Sequence, residues 1–205
     1  MKYSNYDIVF QEVPDEITLA INIANCPHHC DGCHSPFLSE DIGRYIDDDI
    51  DAIIKKYEGM ITCVCFMGGD QCVDDLLSLI KKVHSYGLKA ALYSGIDDAS
   101  LFEGKIEIGV NGQEAFTKPS GSFCSEMHAN NRLFEVAAIL DYLKIGSYKK
   151  ELGGLATKGT NQHMYKREFC QVPMYDKENG RRIPGKTTIK YCWKDITYRF
   201  QKELK

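Results

Sequence analysis

No apolar run in this chain approaches the roughly 20 residues that a membrane-spanning helix needs, so no membrane span is expected. The opening stretch MKYSNYDIVF carries no signal-peptide pattern. Positive charge is not in excess either: 25 Lys and Arg stand against 29 Asp and Glu, a net charge of −4 with a pI near 5.9. Such a balance gives no general attraction for nucleic acid, although the Lys/Arg-rich tail can form a local basic face. Internal repeats, low-complexity segments and a convincing acid–base dyad are also missing. These absences leave a cytoplasmic protein with neither nucleic acid nor membrane among its partners. What is present is ordinary for a globular chain, 43% hydrophobic and 26% charged over 205 residues, enough for one full core.

Cysteine is the exception, with nine copies. In a chain without a signal peptide, a reducing cytosol favours metal binding or catalysis over disulfides, and an odd count fits poorly with complete pairing. Cys26, Cys30 and Cys33 stand in the run CPHHCDGC, directly after the apolar residues 17–24. That spacing puts three soft thiolates on one tight loop as a tripod. Thiolates select iron–sulfur clusters, zinc or copper(I). A 4Fe–4S cubane held by three cysteines keeps one iron free for another ligand, which makes this loop the expected active site. Cys63, Cys65 and Cys72 lie in or beside a predicted buried strand and read as small core residues. Cys124, Cys170 and Cys192 receive no assignment, and a second metal at Cys170 and Cys192 is weakly signalled.

Along the chain, residues 17–24 (ITLAINIA) predict a buried strand that runs into the cysteine loop. Residues 47–57 open with aspartates and close with lysines around an apolar face, which predicts a helix. A second buried strand over 60–67 (MITCVCFM) ends at Gly68, Gly69 and Asp70. Residues 73–86 have helical periodicity, and 88–93 (LKAALY) predict a third strand closed by Ser94 and Gly95. Strands alternating with helices imply parallel pairing, with function at the carboxyl ends of the strands. Beyond residue 97 the pattern degrades. A short hairpin is expected over 105–110, a helix leading into a strand over 133–143, a loop over 149–161 and a terminal strand over 195–200.

The strand-to-loop cysteine triplet and the glycine pair with its acid resemble the radical S-adenosylmethionine superfamily. There, three cysteines hold a 4Fe–4S cluster whose fourth iron is chelated by the amino and carboxylate groups of S-adenosylmethionine. Gly32 before the last cysteine, MGGDQ at 67–71, YSG at 93–95 and GTNQ at 159–162 narrow the likeness. Together they resemble the activating components of anaerobic ribonucleotide reductase, over residues 1–95 and about 139–165. The resemblance implies an α/β fold, a partial (β/α) barrel or curved parallel sheet of the radical S-adenosylmethionine type. A domain over 1–165 would carry an inserted segment at about 97–138, and 166–205 would be a basic extension packed on it.

The implied reaction is reductive cleavage of S-adenosylmethionine and transfer of the resulting radical to a glycine of anaerobic ribonucleoside-triphosphate reductase. The implied electron donor is of flavodoxin type. By the same resemblance Cys26, Cys30 and Cys33 ligate the cluster, while Gly32, Cys33, His34, Gly68, Gly69, Asp70, Ser94 and Asn161 lie against the cluster or S-adenosylmethionine. Gly69 is expected to leave room for a close approach of backbone to ligand. The basic tail is expected to help dock the reductase beside the cluster. Two other readings stay open. One is a radical S-adenosylmethionine enzyme acting on a small molecule, of the deazapurine-forming type. The other is a zinc-stabilised interaction module with His34 as fourth ligand.

Overall fold

The computed structural model describes residues 1–97, 105–108, 114–117, 132–176 and 179–201. Its centre is four parallel strands: β2 (Thr18–Ile23), β4 (Cys63–Met67), β5 (Lys89–Tyr93) and β8 (Tyr142–Ile145). Helix α1 (Ile46–Lys56) precedes β4, α2 (Val73–Ser85) precedes β5 and α3 (Leu133–Ile139) precedes β8. On the β2 side, β1 (Lys2–Val9) pairs antiparallel, followed by the two-residue β3 (Arg44–Tyr45). On the β8 side lie the antiparallel β9 (His163–Tyr175) and β10 (Arg182–Asp195), giving the sheet order β10-β9-β8-β5-β4-β2-β1-β3. A separate antiparallel pair joins β6 (Lys105–Ile108) to β7 (Glu114–Thr117), so the hairpin expected within 105–110 is a single strand whose partner lies further on; Gly109 and Val110 lie outside the described residues. Cys124 lies outside them too.

The central strands are apolar at nearly every position because both faces are covered. Val64 and Phe66 of β4 join the core formed with α1, α2 and α3, whereas Cys63 and Cys65 point to the other face. That second face is covered by Val13, Ile196 and Met164 with Leu155 and Phe200 packed around them, so the three described helices all lie on one side. α1 has Asp47, Asp48 and Asp49 in its first turn and Lys55 and Lys56 in its last, the polarity the helix dipole favours. Among the described residues no helix is long and apolar enough to cross a membrane.

The C-terminal part departs from the sequence reading in three ways. The division expected between residues 165 and 166 falls inside β9, which pairs with β8 through His163–Lys166 and continues unbroken to Tyr175. The strand expected over 195–200 ends at Asp195. Its carboxylate accepts the N–H of Thr197 at 2.8 Å and turns the chain into a short 3₁₀ helix, Thr197–Arg199. Finally, Cys170 and Cys192 are joined as a disulfide, which the argument from a reducing compartment had disfavoured. Strand register, invisible in their 22-residue separation, brings them together.

Candidate functional site

The carboxyl ends of β2, β4, β5 and β8 share one edge of the sheet, and each turns into a segment holding an expected site residue. After β2 the backbone folds tightly, with Asn25, His29 and Gly32 at positive φ of 60°, 43° and 71°. The Cys26 N–H donates to Leu38 O at 2.8 Å, Gln71 Nε2 to Asn25 O at 3.0 Å and the Cys33 N–H to Cys30 O at 3.1 Å. Cys26, Cys30 and Cys33 are thereby displayed on one loop, all free and partly exposed. Burial pushes the Cys26 thiol up, and Asp70, Cys30 and Cys33 add to the rise by repelling its thiolate, whereas a backbone hydrogen bond at His28 opposes it. A cation bound among the three thiolates relieves that repulsion.

After β4, Gly68 and Gly69 adopt φ of +102° and +96°, a region side chains avoid. The position of a Cβ on Gly69 is 2.6 Å from Met1 Sδ, so the space the sequence reading kept for a ligand is filled by the N-terminal residue. Backbone conformation explains that glycine. Asp70 is 6% exposed and accepts two hydrogen bonds at one oxygen, from Ser94 Oγ at 2.5 Å and against His28 Nε2 at 2.9 Å. Burial alone would raise its pKa; the bonds from His28 and Ser94, the His28 charge and the Gly95 N–H outweigh it and hold the carboxyl below its usual range. The same Asp70 bond raises the pKa of His28.

Gly95 completes the lock. A Cβ there would stand 2.4 Å from His28 Cδ2, so the bare backbone after Ser94 is the seat of the histidine ring. The segments after β2, β4 and β5 are thus pinned together by three side chains from distant parts of the chain. Ser94 N–H also bonds Lys144 O at 2.8 Å, tying in β8.

Lys144 is 8% exposed, its ammonium 2.5 Å from Gly146 O and 5.9 Å from the Tyr93 ring centroid. Burial pushes its pKa down to about 8, against the opposing charges of Cys30, Asp97 and Asp70. Asn161 donates through Nδ2 to Asp97 Oδ1 at 3.1 Å and Ser147 O at 3.0 Å, while its buried Oδ1 has no hydrogen-bond partner among the described residues. Gln162 bonds Gly146 O through Nε2 at 3.2 Å. His34 is exposed, its ring packing on Tyr148 at 5.3 Å, and Gly32 faces Tyr148 and Lys150.

The sequence reading missed His28 as an anchor and Lys144 altogether. A lysine inside the apolar run YLKI, just before a glycine, was the available signal for Lys144. Among the described residues no three His, Cys, Asp or Glu side chains are drawn into a metal cage. The fit to a thiolate-held group therefore rests on the donor chemistry, three free thiols on one anchored loop at the edge that also holds the buried Lys144. No family model, curated protein or solved structure matches the chain.

Proposed function

We propose that the chain is a radical S-adenosylmethionine activase, in which Cys26, Cys30 and Cys33 hold a 4Fe–4S cluster and the substrate is a glycine of anaerobic ribonucleoside-triphosphate reductase. The observation that carries this reading is the interlock of the cysteine loop with Asp70 and Ser94 at the carboxyl edge of parallel strands. Parallel strands with helices on one face also suit the partial barrel of that superfamily. When bound, the cluster supplies the single electron that cleaves S-adenosylmethionine.

The chain's own residues hold and orient. Asp70, kept ionised, fixes the cysteine loop through His28 and the β5 turn through Ser94. Lys144 provides a buried positive charge at the same edge, able to receive the carboxylate of S-adenosylmethionine. The unpartnered Asn161 Oδ1 offers an acceptor to a ligand N–H or O–H. The thiols are partly exposed above buried Asp70, Ser94 and Lys144, which suits access by a protein loop. The proposed seat of the reductase is this edge; β9, where the basic tail begins, leaves β8 past Tyr142 toward the amino end of the parallel strands. Cytoplasmic location and a flavodoxin-type donor belong to the same proposal.

The test is anaerobic incubation of the iron–sulfide-reconstituted protein with S-adenosylmethionine, reductant and the candidate reductase, followed by electron paramagnetic resonance. A glycyl radical on the reductase is the expected result. Cleavage of S-adenosylmethionine without that radical would favour the small-molecule enzyme, and neither would reject both.

A further inference from the structure

From Arg167 onward β9 has β10 as its only strand partner among the described residues, so Arg167–Tyr175 and the facing part of β10 leave the sheet as a two-stranded ribbon. At about 3.4 Å per residue this ribbon extends on the order of 30 Å. Its attachments lie at the base. The Arg167 N–H bonds Asp141 O at 2.8 Å, and its guanidinium bonds Ala138 O and covers the Tyr191 ring at 4.5 Å. Further out, Phe169, Tyr175 and Ile189 are each more than half exposed. A two-stranded ribbon without a core beneath it is marginally stable in water.

Across this ribbon Cys170 lies opposite Lys190 and Cys192 opposite Glu168, so the two cysteines are diagonal neighbours on one face. Their Cα atoms are 6.0 Å apart, within the range a disulfide spans, and both are partly exposed. The other described cysteines differ. Cys63 and Cys65 are buried with thiols pushed up by desolvation, and Cys26, Cys30 and Cys33 belong to the opposite edge of the sheet. Cys72, partly exposed at the start of α2, is free as well, and among the described cysteines Cys170 and Cys192 alone are joined to each other.

We propose that Cys170 and Cys192 form a reversible thiol–disulfide exchange site, whose state decides whether the ribbon is a rigid arm. In oxidation, the thiolate of one cysteine attacks a small-molecule or protein disulfide, releasing one thiol and leaving a mixed disulfide. The second cysteine thiolate then displaces the second thiol. Two electrons and two protons pass from the cysteine pair to the incoming disulfide, which leaves as two thiols. A protein dithiol reverses both steps. The closed form shortens the free loop that the open ribbon must order, which is the usual source of disulfide stabilisation. This proposal does not depend on what the cysteine loop binds.

The experiment equilibrates the full chain under nitrogen with oxidised or reduced glutathione, followed by acid quench, alkylation and peptide mass spectrometry. Limited trypsin digestion runs alongside, since the ribbon carries Arg167, Arg181, Arg182, Lys186 and Lys190. Cleavage there needs local opening. The expected result is a Cys170–Cys192 cross-linked peptide in oxidised glutathione that disappears in reduced glutathione. Ribbon cleavage should be at least about tenfold faster in the reduced sample. A Cys170→Ser/Cys192→Ser variant should be cleaved at the reduced rate in both buffers, which separates this pair from thiols elsewhere. Failure to form the cross-link, failure to reduce it, or equal cleavage in the two buffers would overturn the proposal.

Discussion

Gly95 has no side chain because the His28 ring occupies the place where a Cβ would stand. Gly95→Ala should therefore push His28 away from Asp70, and His28→Ala should remove the same bond directly. Each should lower stability by about 1 kcal/mol and impair the site more than it impairs folding. Because both act on one contact, the double variant should be little worse than either single, a coupling that urea unfolding reads as a double-mutant cycle. Additive losses would mean that the ring and the glycine are independent. Gly69 is a poorer probe of ligand contact. Its φ of +96° and the neighbouring Met1 predict that Gly69→Ala costs about 1–3 kcal/mol whether or not a ligand binds.

Lys144 supplies a pH test. Its pKa is about 8 in the fold and near 10.5 for an ordinary lysine, so between these values the unfolded chain binds more protons and stability rises with pH. Relative to Lys144→Met, the metal-free protein should gain on the order of 1 kcal/mol per pH unit across that window. Urea titrations at pH 8 and pH 9.5 measure it, and parallel slopes for protein and variant would remove the buried charge from the account. Residues such as these were poorly legible in the sequence. His28 and Asp70 are 42 positions apart, and neither carries a local signal of its partner. The cysteines, Gly68–Gly69–Asp70 and Tyr93–Ser94–Gly95 were legible because each is a contiguous motif closing a strand.

At the scale of elements, β2, β4, β5, α1 and α2 lie within a few residues of where apolar periodicity put them. Their faces are fully covered, so burial wrote itself into the composition. The ribbon shows the opposite case. Past the core contacts of Met164, Tyr165 and Trp193, Lys, Glu and aromatic residues mix along β9 and β10 because these outer residues meet solvent, and no alternation survives to reveal a strand. The strand β4 also separates two kinds of cysteine. Serine at Cys26, Cys30 or Cys33 should abolish iron binding on anaerobic reconstitution, since a hydroxyl is a poor ligand for soft iron. Cys63→Ala or Cys65→Ala, both on the second core face, should keep iron and cost about 1–3 kcal/mol of packing. Iron lost with Cys65 and kept without Cys30 would reverse the assignment.

For the whole molecule, chain order alone predicted a parallel centre, and the four parallel strands place every motif of the candidate site at one edge. The antiparallel flanks were not legible, since β1 and β9 join through register and not through a pattern of their own. Those flanks separate two chemistries, thiols and a buried cation at the carboxyl edge and a basic, aromatic, disulfide-bearing ribbon beyond the amino edge. The carboxyl edge is tested most directly by chromatography of the products formed from S-adenosylmethionine by the anaerobically reconstituted, reduced protein. Methionine and 5′-deoxyadenosine are expected in equal amounts, and none from variants lacking any one of Cys26, Cys30 and Cys33. A wild-type protein that takes up zinc in place of iron and leaves S-adenosylmethionine intact would rule out a radical enzyme.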